Sequence, residues 1–274
     1  QNLSEVYFKC KKYKEAVAYG QRALENVNQR IRSGKTLLDS IQIELKKPRA
    51  ILLTAKARYE LMGKKEAPQL RKLLEELEEA IAILDRRKTV IYDPENIRLL
   101  MADHKDLLEF TKKILLELYE LTGNNKYMYQ LVSLHESGIY NRIRLRLNQE
   151  NGIRFARIPE QVLSREQQLR KNILGSLKAD KAHGEKIKNY LLATAEWEAY
   201  QEMLKEKYPK YYQMRFAPMM KPVEGIQKSI PSGTTLVRYF FAGEKLLAFV
   251  SDRQRTHLYT LDSTGLRERL GILS

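Results

Sequence analysis

The stretch PQLRKLLEELEEAIAIL, residues 68–84, decides the fold class of most of the chain. Its apolar residues recur at the spacing that lines one face of an amphipathic helix. They are Leu70, Leu73, Leu74, Leu77, Ile81 and Leu84. Residues 50–62 carry a similar pattern and end at Gly63, and glycine is a common helix stop. The two segments therefore predict an antiparallel helical hairpin.

The same periodicity predicts helices on both sides of this hairpin, over residues 13–28, 94–121 and 126–147. Gly123, Asn124 and Asn125 separate the last two helices. Helix starts near residues 50 and 94 lie about 45 positions apart, so repeated helical hairpins are the simplest interpretation. We expect residues 1–148 to form a stack of antiparallel helices.

The helical periodicity weakens at residues 149–157, and a second helical segment begins after them. Ser164-Arg165-Glu166-Gln167 has the order of a capping box, in which two side chains satisfy backbone N–H groups at a helix start. Apolar stripes on both sides of residues 181–184 predict a helical hairpin over residues 164–207, lying against the sheet-containing end. We expect residues 149–208 to form a linker and this connector.

Strand-like runs replace the helical pattern after Pro209. Three β-branched and aromatic runs predict strands over residues 235–241, 245–251 and 255–261, joined by short turns. Side chains alternate along a strand, so Leu236 and Phe240 face one way, and Val237, Tyr239 and Phe241 face the other. The sheet therefore has two apolar faces.

A sheet with two apolar faces is usually covered on both by helices. Only about a dozen residues follow residue 261, too few to supply that cover. We expect residues 209–274 to be the beginning of a larger domain, with earlier helices or a partner shielding the sheet. The predicted fold class is mainly α, with antiparallel helical hairpins, a long helical connector and a small antiparallel β segment.

The composition excludes several classes of protein. The chain has 274 residues, 43% hydrophobic and 30% charged, which excludes a disordered tail, a collagen-like rod and a disulfide scaffold. Cys10 is the single cysteine, so intramolecular disulfides are excluded and a reducing compartment fits. No apolar run approaches the ~18 residues of a membrane span. We expect a cytoplasmic protein whose native N-terminus, upstream of Gln1, has been removed.

The charge is strongly basic. Lysine and arginine number 49 against 34 acidic residues, giving +15. Nucleic-acid-binding proteins usually cluster such charge on one face, whereas acidic runs such as residues 75–79 interrupt it here. We interpret most of the charge as solvated helix surface, with an anionic partner as the alternative. The densest basic stretch holds the candidate contacts to phosphates or an acidic peptide, namely Arg142, Arg144, Arg146, Arg154 and Arg157.

The first helices resemble a tetratricopeptide repeat (TPR). The residues that carry this resemblance are Leu3, Tyr7, Tyr13, Ala16 and Ala23. Small alanines allow two helices to cross closely, and tyrosines fill the gaps beside them. Gly20 departs from the repeat, which normally has an aromatic ring there. What the resemblance implies is a protein or peptide partner bound on stacked helices.

A series of short sequence motifs along the chain gives a more specific resemblance. It comprises LELYELTG at residues 116–123, HES at 135–137, ARIP at 156–159, YPKYY at 208–212, LVRYF at 236–240 and LAFV at 247–250. This order resembles the bacterial CHAT proteins, in which TPR repeats precede a caspase-like α/β domain. The resemblance implies that residues 209–274 begin such a domain. In that family a His and Cys dyad lies beyond the opening strands, so this chain is expected to be catalytically inactive.

No residue in the sequence is predicted to be catalytic, cofactor-binding or metal-binding. A cysteine peptidase needs a thiolate beside an imidazole, and Cys10 lies in the turn of the first repeat with only lysines nearby. None of the four histidines has a second His, Asp or Glu at a metal-ligand spacing with an independent reason to be a site; they are His104, His135, His183 and His257. No glycine-rich phosphate loop is present, so no nucleotide cofactor is expected.

Two functions follow from the sequence. The leading hypothesis is a partner-recognition and regulatory fragment of a CHAT-type cysteine protease. The alternative is a basic helical nucleic-acid-binding protein. A third hypothesis, a self-sufficient hydrolase, lacks a nucleophile and a base.

Overall fold

The computed structural model describes residues 2–32, 37–88, 94–149, 158–178, 183–216, 223 and 225–264. This part of the chain is mostly helical, at 72% of its residues, with nine helices and a three-stranded antiparallel sheet at the C-terminal end. The predicted fold class, mainly α with a small antiparallel β segment, is confirmed.

The helices are α1 (Asn2–Lys9), α2 (Tyr13–Arg32), α3 (Leu37–Leu61), α4 (Ala67–Lys88), α5 (Pro94–Thr122), α6 (Asn125–Gln149), α7 (Glu160–Lys178), α8 (His183–Lys207) and α9 (Pro209–Arg215). A short 3-10 helix, Ile226–Ser229, precedes the strands β1 (Leu236–Ala242), β2 (Lys245–Ser251) and β3 (Thr256–Leu261). The three strands begin and end within one residue of their predicted positions.

Two helix starts differ from the sequence-based prediction. Helix α3 begins at Leu37 and contains Pro48, whereas the helix was predicted only after this proline. Proline lacks a backbone N–H and usually interrupts a helix, which explains the late prediction. The prediction of a capping box at Ser164 is also wrong, because α7 begins at Glu160 and Ser164 lies inside it. The carbonyl of Pro159 accepts the first N–H bond instead, from Val162 at 3.0 Å.

The turn between α5 and α6 forms where the sequence predicted it. Gly123 has a left-handed backbone with φ of 63°, a conformation that glycine adopts without steric cost. Its N–H donates to the carbonyl of Tyr119 at 2.8 Å. The Asn124 side chain then accepts the N–H of Lys126 at 3.0 Å, which caps the start of α6. One helix is thus ended and the next begun within three residues.

The first hydrophobic core joins α3–α6 to one face of the sheet. The leucine stripe that decides the fold class is at its centre, with Leu70 and Leu77 completely buried. Leu118 of α5, Met128 of α6 and Leu247 of β2 are equally buried in the same core. Each such side chain stabilises the fold by about 1.5–3 kcal/mol relative to an exposed one.

The sheet has the order β1-β2-β3, with both pairs antiparallel. One face lies against α5 and α6. Phe240 stacks on the His135 ring at 4.7 Å, and Arg238 Nε donates to Glu136 Oε1 at 2.7 Å. Lys245 Nζ bonds to Glu120 Oε1 of α5 at 2.7 Å. These contacts attach the strands to the helical repeats.

A second core is formed by α7, α8 and α9. Its centre is Trp197, packed edge-on against Phe216 at 5.5 Å. Arg170 lies over the Trp197 ring at 5.4 Å and pairs with the buried carboxylate of Glu166. Tyr211 of α9 donates to Glu166 at 2.5 Å, so α9 belongs to the connector although residue 209 was predicted to begin the next domain.

The helical hairpin of the connector forms as predicted, as α7 and α8. The buried strand residues Phe240, Ala242, Leu247 and Phe249 belong to the first core, and no described strand residue belongs to the second. Among the described residues, the hairpin packs on α9, which belongs to the sheet-containing end predicted from residue 209, whereas helices α5 and α6 cover one face of the sheet. Cover of the sheet by earlier helices was expected from the sequence, and the structure identifies α5 and α6 as the helices that cover one face.

Candidate functional site

Helices α1, α3 and α5 lie side by side and form one surface, here called the repeat surface. Arg49 of α3 pairs with Glu5 of α1 at 2.8 Å. Lys56 of α3 pairs with Asp106 of α5 at 3.6 Å. Stacked helical hairpins generally present one such set of helices to their partners.

The first hairpin crosses α3 very closely, and the residues at the crossing are small. The Ser4 hydroxyl donates to the Ala16 carbonyl at 2.8 Å between α1 and α2. A Cβ atom added at Gly20 would lie 2.2 Å from Thr54 Oγ1 of α3. The absence of a side chain at Gly20, where the sequence departs from the TPR pattern, is therefore what allows this approach.

The structure supports packing roles for four of the five TPR-like residues. Ala16 is completely buried and Ala23 is half-buried. Tyr7 stacks on Tyr19 at 5.1 Å, and Tyr13 packs against Phe8 at 5.6 Å. The predicted packing of Leu3 is wrong, because its side chain is 55% exposed. Helix α1 turns the neighbouring Ser4 toward α2, which directs Leu3 outward.

A mixed aromatic and charged cluster joins α3 to α5 on the repeat surface. We call it the Tyr59 cluster, comprising Tyr59, Lys65, Phe110, Lys113 and Glu117. The buried Tyr59 ring meets Phe110 edge-on at 5.6 Å, and its hydroxyl donates to Glu117. Burial, together with this bond, raises the pKa of Tyr59 well above its usual range.

Two lysines of the Tyr59 cluster hold their ammonium groups against its ring. The Nζ atoms of Lys65 and Lys113 lie 4.2 and 4.3 Å from the ring centroid. This distance is favourable for a cation–π interaction. Neither ammonium has a carboxylate partner among the residues that the structure describes.

Several other cations of α3 and α5 are paired with carboxylates. Lys47 pairs with Glu79 at 2.6 Å, and Arg58 pairs with Glu76 at 2.5 Å. Lys112 pairs with Glu109 and also donates to the Phe241 carbonyl of β1. Lys65 and Lys113 therefore retain ammonium groups that can meet an acidic group from outside.

Sequence patterns alone do not single out Tyr59, Lys65 or Lys113 as a site. These residues belong to α3, to the following turn and to α5, and no local motif connects them. The only local signal is Lys113 four positions before Glu117, a common spacing of exposed pairs on helices.

The candidate arginine contacts lie mostly beyond the described side chains. Arg142, Arg144 and Arg146 belong to α6, but their side chains are outside the described part of the structure. Arg154 and Arg157 lie outside the described residues altogether.

Cys10 and the histidines occupy separate parts of the fold. Cys10 is exposed in the turn between α1 and α2. His135 packs on Phe240 within the sheet contact, and His257 of β3 lies 5.9 Å from the Tyr259 ring. His104 belongs to α5 and His183 begins α8, with side chains outside the described part.

The described residues show neither a metal-binding cluster nor a membrane-spanning helix. They contain no group of three or more His, Cys, Asp or Glu side chains arranged to hold a metal ion. None of their helices combines the length and apolar character needed to cross a membrane.

Comparison of the chain with protein-family models, curated proteins and solved structures gives no match.

Proposed function

We propose that this chain is the partner-recognition and regulatory part of a CHAT-type cysteine protease, located in the cytoplasm and without catalytic activity of its own. The order of its elements supports this proposal, since stacked helical hairpins and a helical connector precede the three strands. The repeat surface is where the partner binds.

The observation that carries the proposal is the Tyr59 cluster. Lys65 and Lys113 present ammonium groups beside the Tyr59 ring, which is rigidly held by Phe110 and Glu117. An acidic side chain of a peptide bonds to such ammonium groups, and the fixed ring lowers the entropy that their ordering costs. The partner is therefore a protein segment with acidic residues.

Selection from a random peptide library tests this function. We expect the selected peptides to be enriched in Asp and Glu. Charge reversal by Lys65→Glu together with Lys113→Glu should weaken their binding by about 10-fold or more, since opposite charges become like charges. Titration calorimetry measures the affinity.

The matched control reverses Lys14→Glu and Lys72→Glu, exposed lysines of α2 and α4. It changes the net charge equally, so equal weakening by both pairs would contradict a specific site. Titration with duplex and single-stranded nucleic acid at about 50 and 200 mM salt tests the alternative. Tight binding with a steep salt dependence would favour a nucleic-acid-binding protein.

Incubation with a peptide library tests the lack of catalysis. We expect no thiol-dependent cleavage, with or without a bound peptide, because a nucleophile needs a base within about 3 Å. Sequence-specific cleavage that disappears in Cys10→Ala would overturn this part of the proposal. Labelling of Cys10 alone would not, because exposed thiols near lysines react readily.

A further inference from the structure

A groove between α7 and α8 of the connector, here called the connector groove, has a volume of about 530 Å³. Its floor is apolar, because Leu169 and Tyr200 are buried there, and Val162 and Met203 are half-buried beside them. The Tyr200 hydroxyl donates to the Val162 carbonyl at 2.7 Å, which joins the two helices and fixes the floor. Small-molecule sites usually have volumes of about 300–1,000 Å³, apolar walls and a few polar groups that orient the ligand. The connector groove has the size and lining of such a site.

Two opposite charges lie at the edge of the connector groove. Arg165 of α7 and Glu196 of α8 both line it, and their side chains are 50% and 53% exposed. Arg165 Nη2 lies 3.6 Å from Glu196 Oε2, which is longer than a good hydrogen bond. An exposed pair of this length contributes little to stability, so a ligand can separate the two charges at small cost.

The two charges are complementary to the head group of a free α-amino acid, in which a carboxylate and an ammonium are attached to the same carbon atom. The Arg165 guanidinium can donate two parallel N–H bonds to the carboxylate, and the Glu196 carboxylate can accept from the ammonium. A ligand with a single charge would satisfy one of these residues and leave the other facing a group of like charge or none. The pair therefore favours a zwitterion.

The length of the connector groove selects a small ligand. Its walls are residues 161–169 and 196–203, about two helical turns each, or roughly 10–12 Å. A stable contact with a protein buries about 800 Å² on each side, which a groove of this length does not provide. A single amino acid fits within it.

We propose that the connector groove binds a free α-amino acid with a large apolar side chain, such as leucine or methionine. The carboxylate of the ligand pairs with Arg165, its ammonium pairs with Glu196, and its side chain lies on Leu169 and Met203. This inference goes beyond the proposed function, since the connector groove and the Tyr59 cluster share no residue. The groove is open to solvent on one side and the ligand is small, so we expect a dissociation constant on the order of 1 mM.

Saturation-transfer NMR on the full chain, which measures weak binding directly, tests the proposal. The probes are L-leucine, N-acetyl-L-leucine without the ammonium, L-leucinamide without the carboxylate, and glycine without an apolar side chain. We expect saturable binding of leucine, and binding of each of the other three weaker by about 5-fold or more, since each lacks one of the three contacts. An amphipathic helical peptide of about 18 residues with blocked termini tests for a protein partner in the same groove.

Arg165→Gln and Glu196→Gln should each weaken leucine binding by about 5-fold or more. Both side chains are half exposed, so the variants should remain folded, which circular dichroism verifies. The matched controls are Lys171→Gln and Glu198→Gln, exposed on α7 and α8 outside the groove, and they should leave leucine binding unchanged. The proposal is overturned by equal binding of N-acetyl-L-leucine or L-leucinamide, by tighter binding of the helical peptide, by equal effects of the control variants, or by no saturable leucine binding up to about 20 mM.

Discussion

Gly20 shows at the residue scale how one missing side chain sets the packing of the first repeat. Thr54, which faces it, is completely buried, and its hydroxyl donates to the Ala50 carbonyl at 2.8 Å. Thr54 therefore cannot turn away from a new methyl group without losing this bond. The Thr54 Cβ atom would also lie 3.2 Å from the added carbon.

We expect Gly20→Ala to lower the free energy of unfolding by about 1–3 kcal/mol, because overpacking forces neighbouring side chains apart. The control is Gly175→Ala in α7, where an added Cβ meets nothing within 4 Å. That change should stabilise the helix by up to about 1 kcal/mol. Urea unfolding measures both, and a stabilising Gly20→Ala would contradict the close crossing.

The hydrogen bond from Tyr59 to Glu117 gives a second prediction for a single residue. Tyr59→Phe keeps the ring between the lysines but removes the hydroxyl that donates to Glu117. We expect a loss of about 1–2 kcal/mol, since Glu117 is left without this donor in a partly buried site. Urea unfolding at pH 7 measures this loss.

The free energy of unfolding of the natural protein and of Tyr59→Phe, measured as a function of pH, tests whether Tyr59 is buried and neutral. The folded-state pKa of Tyr59 is raised, mainly by burial, above the value of about 10 expected for the unfolded chain. Its stabilising contribution is therefore complete below pH 10 and decreases as the pH rises further. The stability difference between the natural protein and Tyr59→Phe should shrink above pH 10, and a difference that grows there would contradict a buried, neutral tyrosine.

At the level of single elements, strand β2 contributes side chains to both faces of the sheet, one covered by helices and one not. Leu247 is completely buried against the helices, whereas its neighbour Leu246 lies on the opposite face of the sheet and is only half-buried. Leu247→Ala should cost about 2–5 kcal/mol and Leu246→Ala distinctly less, because only the first leaves a cavity in a packed core. Urea unfolding of the two variants is a matched comparison, and equal losses would mean that both faces are covered.

The elements also show how far local sequence patterns determine this fold. The spacing of Leu70, Leu73 and Leu77 was enough to predict α4, because their burial follows directly from helical periodicity. The start of α3 was missed because Pro48 carries the local signal of a helix end, which the surrounding helix overrides. Likewise, the capping-box order at Ser164 lies within a helix that begins four residues earlier, at Glu160.

At the scale of the whole molecule, the predictable features are local and the missed ones join distant segments. Contact of His135 with Phe240, and of Tyr59 with Glu117, depends on tertiary packing that periodicity does not encode. The Tyr59 cluster could therefore not be predicted from the sequence. Cover of the sheet by earlier helices was expected, but the sequence did not show that α5 and α6 are those helices.

Two separate cores predict two separable unfolding transitions. Trp197, the only tryptophan, lies in the core of α7, α8 and α9. Leu118→Ala, in the first core, should lower the urea midpoint followed by circular dichroism and leave the midpoint of tryptophan fluorescence unchanged. Equal shifts of both midpoints would show that the two cores unfold as one cooperative unit.

Hydrogen exchange with and without a selected acidic peptide tests whether the repeat surface binds the partner. We predict slower exchange on binding in α3 and α5 around Tyr59 and Lys113, with α7–α9 and the strands unchanged, and no such slowing in the Lys65→Glu, Lys113→Glu variant. Slowing confined to α7–α9 or to the strands, with α3 and α5 unaffected, would contradict the claim.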